Sequence, residues 1–294
     1  MTPLDLAVLA PLMNLTSGRM DVKIGLIDGP VAIDHPEIAG EHVQEIAGAW
    51  SGSCTQSDSV ACLHGTFVAG ILFAKRGSGA PAICPDCTLL VRPIFGEAIG
   101  ANENAPTTRP EQLAQAILDC IVAGAQVLNI SAAVAQPSIQ KNSALEEVLN
   151  LAVKRGVLVI VAAGNQGTLG STPITRHSWV IPVVACDHQG RPIHQSNLGN
   201  SIGRRGLRAP GDRITSLRAH GKMLTSGGTS AAAPFVTGAI ALLWSLFPQT
   251  PAAQMKLAIT QAYLPRPTTV IPPLLDGWGS HQYLLTMQAR RVLG

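Results

Sequence analysis

A chain of 294 residues, 46% hydrophobic and 13% charged, is long enough to bury one large α/β core. Its formal net charge of +3 is too small to point to nucleic acid as a partner. No uninterrupted apolar run reaches the roughly 18 residues of a membrane span, since AIALLWSLF stops at Pro248, so no membrane partner is expected.

The opening MTPLDLAVLAPLMNL lacks the basic start and small-residue cleavage site of a secretory signal. It reads as a short amphipathic helix, and a cytoplasmic address is expected. Near-continuous apolar runs then recur at 22–28 (VKIGLID), 88–95, 127–131, 157–164 and 180–187, the pattern of strands buried on both faces. Helical patterns fall between them at 64–75, 110–125 and 143–156. In the last of these Ser143 is placed as N-cap, Glu146 completes a capping box and Gly156 is the stop. This alternation predicts a doubly wound, mainly parallel sheet flanked by helices, an α/β fold in which ligands gather at the carboxyl ends of strands. Residues 96–109 form the longest polar loop, and the chain past Pro265 is a Pro-rich tail ending in a short helix. With no repeat and no linker, 1–294 reads as one domain with its core at about 20–248 and an extension at 249–294.

The six cysteines are too few for a disulfide scaffold in a chain of this length. Cys84-Pro-Asp-Cys87 has metal or redox spacing, but no second C-x-x-C completes a zinc site. Cys120 and Cys186 sit in apolar runs and are expected to be buried thiols. At least one of the pairs Cys54/Cys62 and Cys84/Cys87 is expected to be able to oxidise without touching catalysis. The arginines 204, 205, 208, 213 and 218 read as a solvated loop face, with a site for an acidic peptide as the alternative.

Four polar residues stand among small neighbours at strand ends or helix starts. Asp28 ends the first run in GLIDGPV, His64 opens a helix in CLHGTFVAG, Asn165 follows the fourth run in IVAAGNQG, and Ser230 lies in GGTSAAAPF. Each alone has an ordinary explanation: Asp and Asn make turns, His caps or packs, and Ser caps helices. Small residues around Ser230 also clear a path to its hydroxyl, and a helix N-terminus offers N–H groups to a developing negative charge. A serine nucleophile needs a base, and the base needs an orienting acid.

The order Asp28…His64…Asn165…Ser230, with HGTFVAG, AAGN and GTSAAAP, resembles the subtilisin-type serine peptidases from about residue 20 to 248. The resemblance implies a subtilisin-like fold and a catalytic triad of Asp28, His64 and Ser230. It implies an oxyanion hole made by the Asn165 side-chain amide and the Ser230 N–H. It also implies two backbone walls for an extended peptide substrate, one at Ser131, Ala132, Ala133 and Val134, the other at Ala162, Ala163 and Gly164. Residues 170–179 would form the pocket floor, with Arg176 and His177 either there or on a surface loop. No cofactor is called for.

Three departures stand out. The aspartate motif is DGP, without the family's hydroxyl residue after the acid. Phe67 stands where a second histidine is common. AKRGSGAPAICPDC replaces the Asn-rich loop that holds calcium in many members, so no metal is expected. The first and third, with LIDGPVAIDHPEI and CPDCTLLVRPIF, resemble the branch that matures cyanobactin-type ribosomal peptides by removing a leader or, in a related form, by cyclising the core. Only 36 positions separate Asp28 from His64, which leaves little room for the helical insertion of the cyclising form. Hydrolysis of a precursor peptide is therefore expected, with a macrocyclase and a catalytically inactive peptide-binding subtilase as alternatives. A dinucleotide-binding reading of IGLIDGP lacks G-x-G-x-x-G. No family-type prosegment precedes Asp28, so an autoprocessed propeptide is expected to be absent or to lie outside this chain.

Overall fold

The computed structural model describes residues 1–38, 42–97, 108–131, 143–261 and 269–293. Two short helices open it, α1 (Pro3–Leu6), capped by Thr2, and α2 (Ala10–Leu15). Then come β1 (Lys23–Asp28), β2 (Val43–Glu45), α3 (Val60–Phe73), β3 (Thr88–Pro93), α4 (Pro110–Val122), β4 (Val127–Ile130), α5 (Ser143–Arg155) and β5 (Leu158–Ala162). The second half runs through α6 (Pro173–Arg176), β6 (Val180–Cys186), α7 (Asn200–Arg205), β7 (Leu207–Pro210), β8 (Ile214–Arg218) and β9 (Lys222–Ser226). It ends in α8 (Thr229–Leu246), α9 (Ala252–Ile259) and α10 (Gly277–Leu293).

Among the described residues, seven strands form one parallel sheet in the order β2-β3-β1-β4-β5-β6-β7, and β8 and β9 make a separate antiparallel hairpin. The order reverses direction at the β1–β4 pair, where the crevice of such a sheet opens. Successive side chains of a strand go to opposite faces. Ile24 and Leu26 of β1, with Leu158 and Ile160 of β5, pack with α3 and α8 on one side. Ile27, Val159 and Val161 pack with α4 and α5 on the other. Both faces are covered, which is why the strands read as unbroken apolar runs.

Several boundaries differ from the sequence reading. Helix α3 starts at Val60 with Ser59 as its N-cap, so His64 lies in its second turn rather than at its start. Ser143 is the first helical residue of α5 rather than its cap, while Gly156 ends the helix at φ +66°. Helix α8 absorbs the whole stretch from Thr229. At 18 residues and mean hydropathy 1.4 it is long and apolar enough to cross a membrane, but 89% of it is buried inside the protein as the central core helix. Of the arginine cluster only Arg213 lies exposed in a loop: Arg204 and Arg205 belong to α7, Arg208 to β7 and Arg218 to β8, and Arg205 donates to the carbonyls of Thr175 and Arg176 at the end of α6.

The segment past Pro248 folds back on the core. Arg208 N donates to Pro273 O and Leu275 N to Arg208 O, both at 2.8 Å, so the outer edge of β7 is paired. Gly277 N donates to Ala7 O at 3.1 Å and joins α10 to the N-terminal arm. Cys54 and Cys62 form a disulfide, while Cys84, Cys87, Cys120 and Cys186 are free and buried. Burial pushes the Cys120 and Cys186 thiols up to about 12, so both are inert as nucleophiles at neutral pH.

Candidate active site

The carboxyl edge of the sheet gathers the four polar residues. Asp28 is the last residue of β1 and is fully buried; its Oδ1 lies 2.6 Å from His64 Nδ1 and accepts the Gly29 N–H at 2.6 Å. His64 keeps 35% of its side chain accessible, so its other nitrogen is not sealed in the core. Two opposed influences set its proton affinity. Burial disfavours the imidazolium, but the charge of Asp28 and the hydrogen bond to it outweigh burial, and the pKa is raised above the ordinary 6.5. A general base works as neutral imidazole, so an enzyme that uses His64 as its base would lose activity in acid. The acid limb of kcat/KM against pH is expected to have its midpoint above 6.5, and a midpoint below 6 would contradict the Asp28–His64 pairing.

The missing hydroxyl after Asp28 has a steric cause. A Cβ on Gly29 would stand 2.1 Å from Ala61 O in α3, and one on Gly65 would stand 2.3 Å from Pro30 O. The aspartate turn and the histidine helix pass backbone against backbone, with no room for a side chain at either point. Asp28 Oδ2 is accordingly buried without a hydrogen-bond partner. The loop Ser51–Ser59 ties the same two pieces from outside. Cys54 N donates to Val31 O at 3.1 Å, the disulfide joins Cys54 to α3, and Glu97 accepts from Thr55 N, Gln56 N and the hydroxyls of Thr55 and Ser59.

Ser230 opens the first turn of α8, half-buried. Its Oγ donates to Ser131 O at 2.9 Å, and Ser131 Oγ donates to Ser230 O at 3.2 Å. The hydroxyl is thus turned toward the end of β4. Asn165 is exposed just beyond β5. Its Oδ1 accepts from Thr229 N at 2.9 Å and from Thr229 Oγ1 at 3.0 Å, which leaves the amide NH2 as its outward donor. Of the expected peptide walls, Ser131, Ala162, Ala163 and Gly164 line the ends of β4 and β5, and Gly164 takes φ +105° against Asn197. Ala132, Ala133 and Val134 lie outside the described residues. His177 Nε2 lies 3.4 Å from Asn150 Oδ1 and so faces α5, the surface alternative of the sequence reading.

One organising residue escaped the sequence reading. Asn197 accepts from Gln166 N and Thr168 N and donates to Ala163 O at 3.2 Å, holding the loop that carries Asn165. Its only sequence signal is the turn-forming SNLGN after β6.

A doubly wound sheet that carries Asp–His, Asn and Ser at its carboxyl edge defines a serine peptidase of subtilisin-like architecture. Residues 19–279 match the subtilase family, peptidase S8, and the chain belongs to that family. Subtilisin DY of Bacillus licheniformis is 28% identical over 243 residues, covering 80% of this chain and 81% of that protein. A thermostable alkaline protease of Halalkalibacterium halodurans is 31% identical over 208 residues, 70% of this chain but 54% of the relative. Among solved structures, the protease domain of PatA superposes with TM-score 0.82 at 28% identity, covering 92% of this chain and 97% of that one. The prenylagaramide maturation protease PagA gives 0.80 at 28%, covering 94% and 98%. The PatG macrocyclase with bound peptide shares the fold, with TM-score 0.79 at 21% identity, covering 94% and 95%.

Proposed function

We propose that this subtilase hydrolyses a peptide bond in a ribosomal precursor peptide, releasing a leader-like segment, with Ser230 as nucleophile. His64 takes the Ser230 proton and returns it to the leaving amine, while Asp28 fixes the imidazole tautomer and stabilises the imidazolium. The Asn165 amide and the Ser230 N–H receive the oxyanion of the tetrahedral intermediate. An extended peptide adds its backbone to the walls at Ser131, Ala132 and Ala133 and at Ala162, Ala163 and Gly164. The observation that carries the reading is the 2.6 Å Asp28–His64 contact at the strand edge where Ser131 and Ser230 are joined. The precursor is made by the ribosome, so we place the enzyme's work in the cytoplasm. Likeness to the maturation proteases PatA and PagA supports the substrate class.

Hydrolysis over cyclisation rests on what surrounds the acyl-enzyme. Cyclisation requires water to be held off and the peptide's own amine to be held near. Among the described residues between Asp28 and α3, β2 has three residues and His42 stands in 3-10 conformation just before it, and neither is a cover. The new carboxylate is therefore expected to carry solvent oxygen. Mass spectrometry of a precursor cleaved in ¹⁸O water checks this. A product without label and lighter by one water would be a macrocycle, and the hydrolytic reading would fall while the triad stood.

A further inference from the structure

Helix α8 contains Pro234, which has no N–H to donate, so the carbonyl four residues earlier, that of Ser230, loses its helical partner. Ser131 Oγ supplies the missing donor at 3.2 Å. Ser131 is itself held. Asn129 Nδ2 donates to Ser131 Oγ at 2.8 Å, and Asn129 Oδ1 accepts from Thr237 Oγ1 at 2.9 Å. Asn129 and Thr237 are fully buried and Ser131 nearly so. A polar ladder thus runs from Thr237, two turns down α8, through the end of β4 and back to the first turn of the same helix.

We propose that Thr237 and Asn129 are positioning residues for the nucleophile, acting through the Ser131 side chain on the Ser230 carbonyl. This rests on the reading of Ser230 as nucleophile. The ladder holds the Ser230–Ala231 peptide plane through the Ser230 carbonyl, and with it the Ser230 backbone from which the Oγ projects. The shorter bonds set its direction. Thr237 Oγ1, which also lies 3.3 Å from Ala233 O in its own helix, donates to the Asn129 oxygen at 2.9 Å, and this turns the Asn129 amide nitrogen toward Ser131 Oγ. Ser131 must then spend its own proton on Ser230 O. Removing the Thr237 hydroxyl frees the Asn129 amide to flip, which would turn an acceptor toward Ser131 and reverse the order. Neither Asn129 nor Thr237 touches substrate in this scheme, so the effect belongs in turnover and not in affinity.

The test compares Thr237→Val, which keeps the shape and deletes the donor, with Thr237→Ser, which restores it, and with Ser131→Ala at the other end. Thr237→Val and Ser131→Ala are each expected to lower kcat and the rate of Ser230 labelling by a small fluorophosphonate roughly 10- to 100-fold, with KM within about twofold. Thr237→Ser should recover most of that loss. The double variant Thr237→Val, Ser131→Ala should be little worse than the worse single variant, because both cut one chain. A Thr237→Val enzyme with a lowered thermal midpoint but normal kcat and labelling would overturn the proposal, as would a rise in KM at unchanged kcat or fully multiplicative effects. Should Thr237→Val fail to fold, Ser131→Ala decides alone, and normal labelling there refutes the ladder. Activity surviving in Ser230→Ala would instead refute the reading beneath it, so the two failures are told apart.

Discussion

Ser230→Ala is expected to abolish turnover, by roughly 10⁶-fold in kcat, while the fold survives. The change deletes one oxygen from a half-buried position flanked by Thr229 and Ala231. It opens no cavity in an apolar layer. It removes one hydrogen bond to Ser131 O, a loss of about 1 kcal/mol of stability. The Ser131-to-Ser230 bond is to the backbone carbonyl and remains. His64→Ala should lose about as much, because base and nucleophile act as a unit and either alone is idle. Peptide digestion read by mass spectrometry, with circular dichroism to show that the variants are folded, checks both. Normal hydrolysis by Ser230→Ala would refute the assignment outright.

Asn165→Ala should fail in a different way, losing roughly 10²–10³-fold in kcat with KM nearly unchanged. The Asn165 oxygen is already committed to Thr229, and only the NH2 is left to donate. In the proposed mechanism its acceptor is the oxygen that becomes negative at the carbon attacked by Ser230. That charge is absent in the bound substrate and present in the transition state, so the interaction lowers the barrier without tightening binding. Steady-state kinetics on one peptide separates the two parameters. A variant that loses mainly affinity would make Asn165 a pocket wall.

The parts of this molecule that could be read from sequence are those in which a local pattern and its tertiary use coincide. The strands β1, β3, β4, β5 and β6 are buried on both faces, so apolarity alone marks them. The strands β2, β8 and β9 carry exposed positions, and β7 has the partly buried Arg208 among its four residues; none has an apolar run to announce it. The start of α3 was hidden because Val60-Ala-Cys-Leu looks like loop until Ser59 is seen to cap it. Asp28, His64, Asn165 and Ser230 stood out because small residues crowd each of them. Asn129, Thr237 and Asn197 did not, because their meaning lies in bonds to residues 29 to 108 positions away, and a buried asparagine in VLNIS looks like any other strand residue. The disulfide was legible only as one pairing among two candidates.

The backbone contact between the aspartate turn and the histidine helix also constrains how this enzyme can be recombined. Gly29, Ala61 and Gly65 meet through main-chain atoms, at separations where a single added methyl collides with an immovable carbonyl. Variation at Gly29 and Gly65 is coupled through the backbone of α3: a hydroxyl restored at residue 29 has to be matched by a displaced α3, and α3 carries His64. Segments exchanged between this chain and a relative with the hydroxyl-bearing motif must therefore take the first strand and the histidine helix from the same parent. A crossover placed anywhere between residues 29 and 65 would join two halves cut to different clearances.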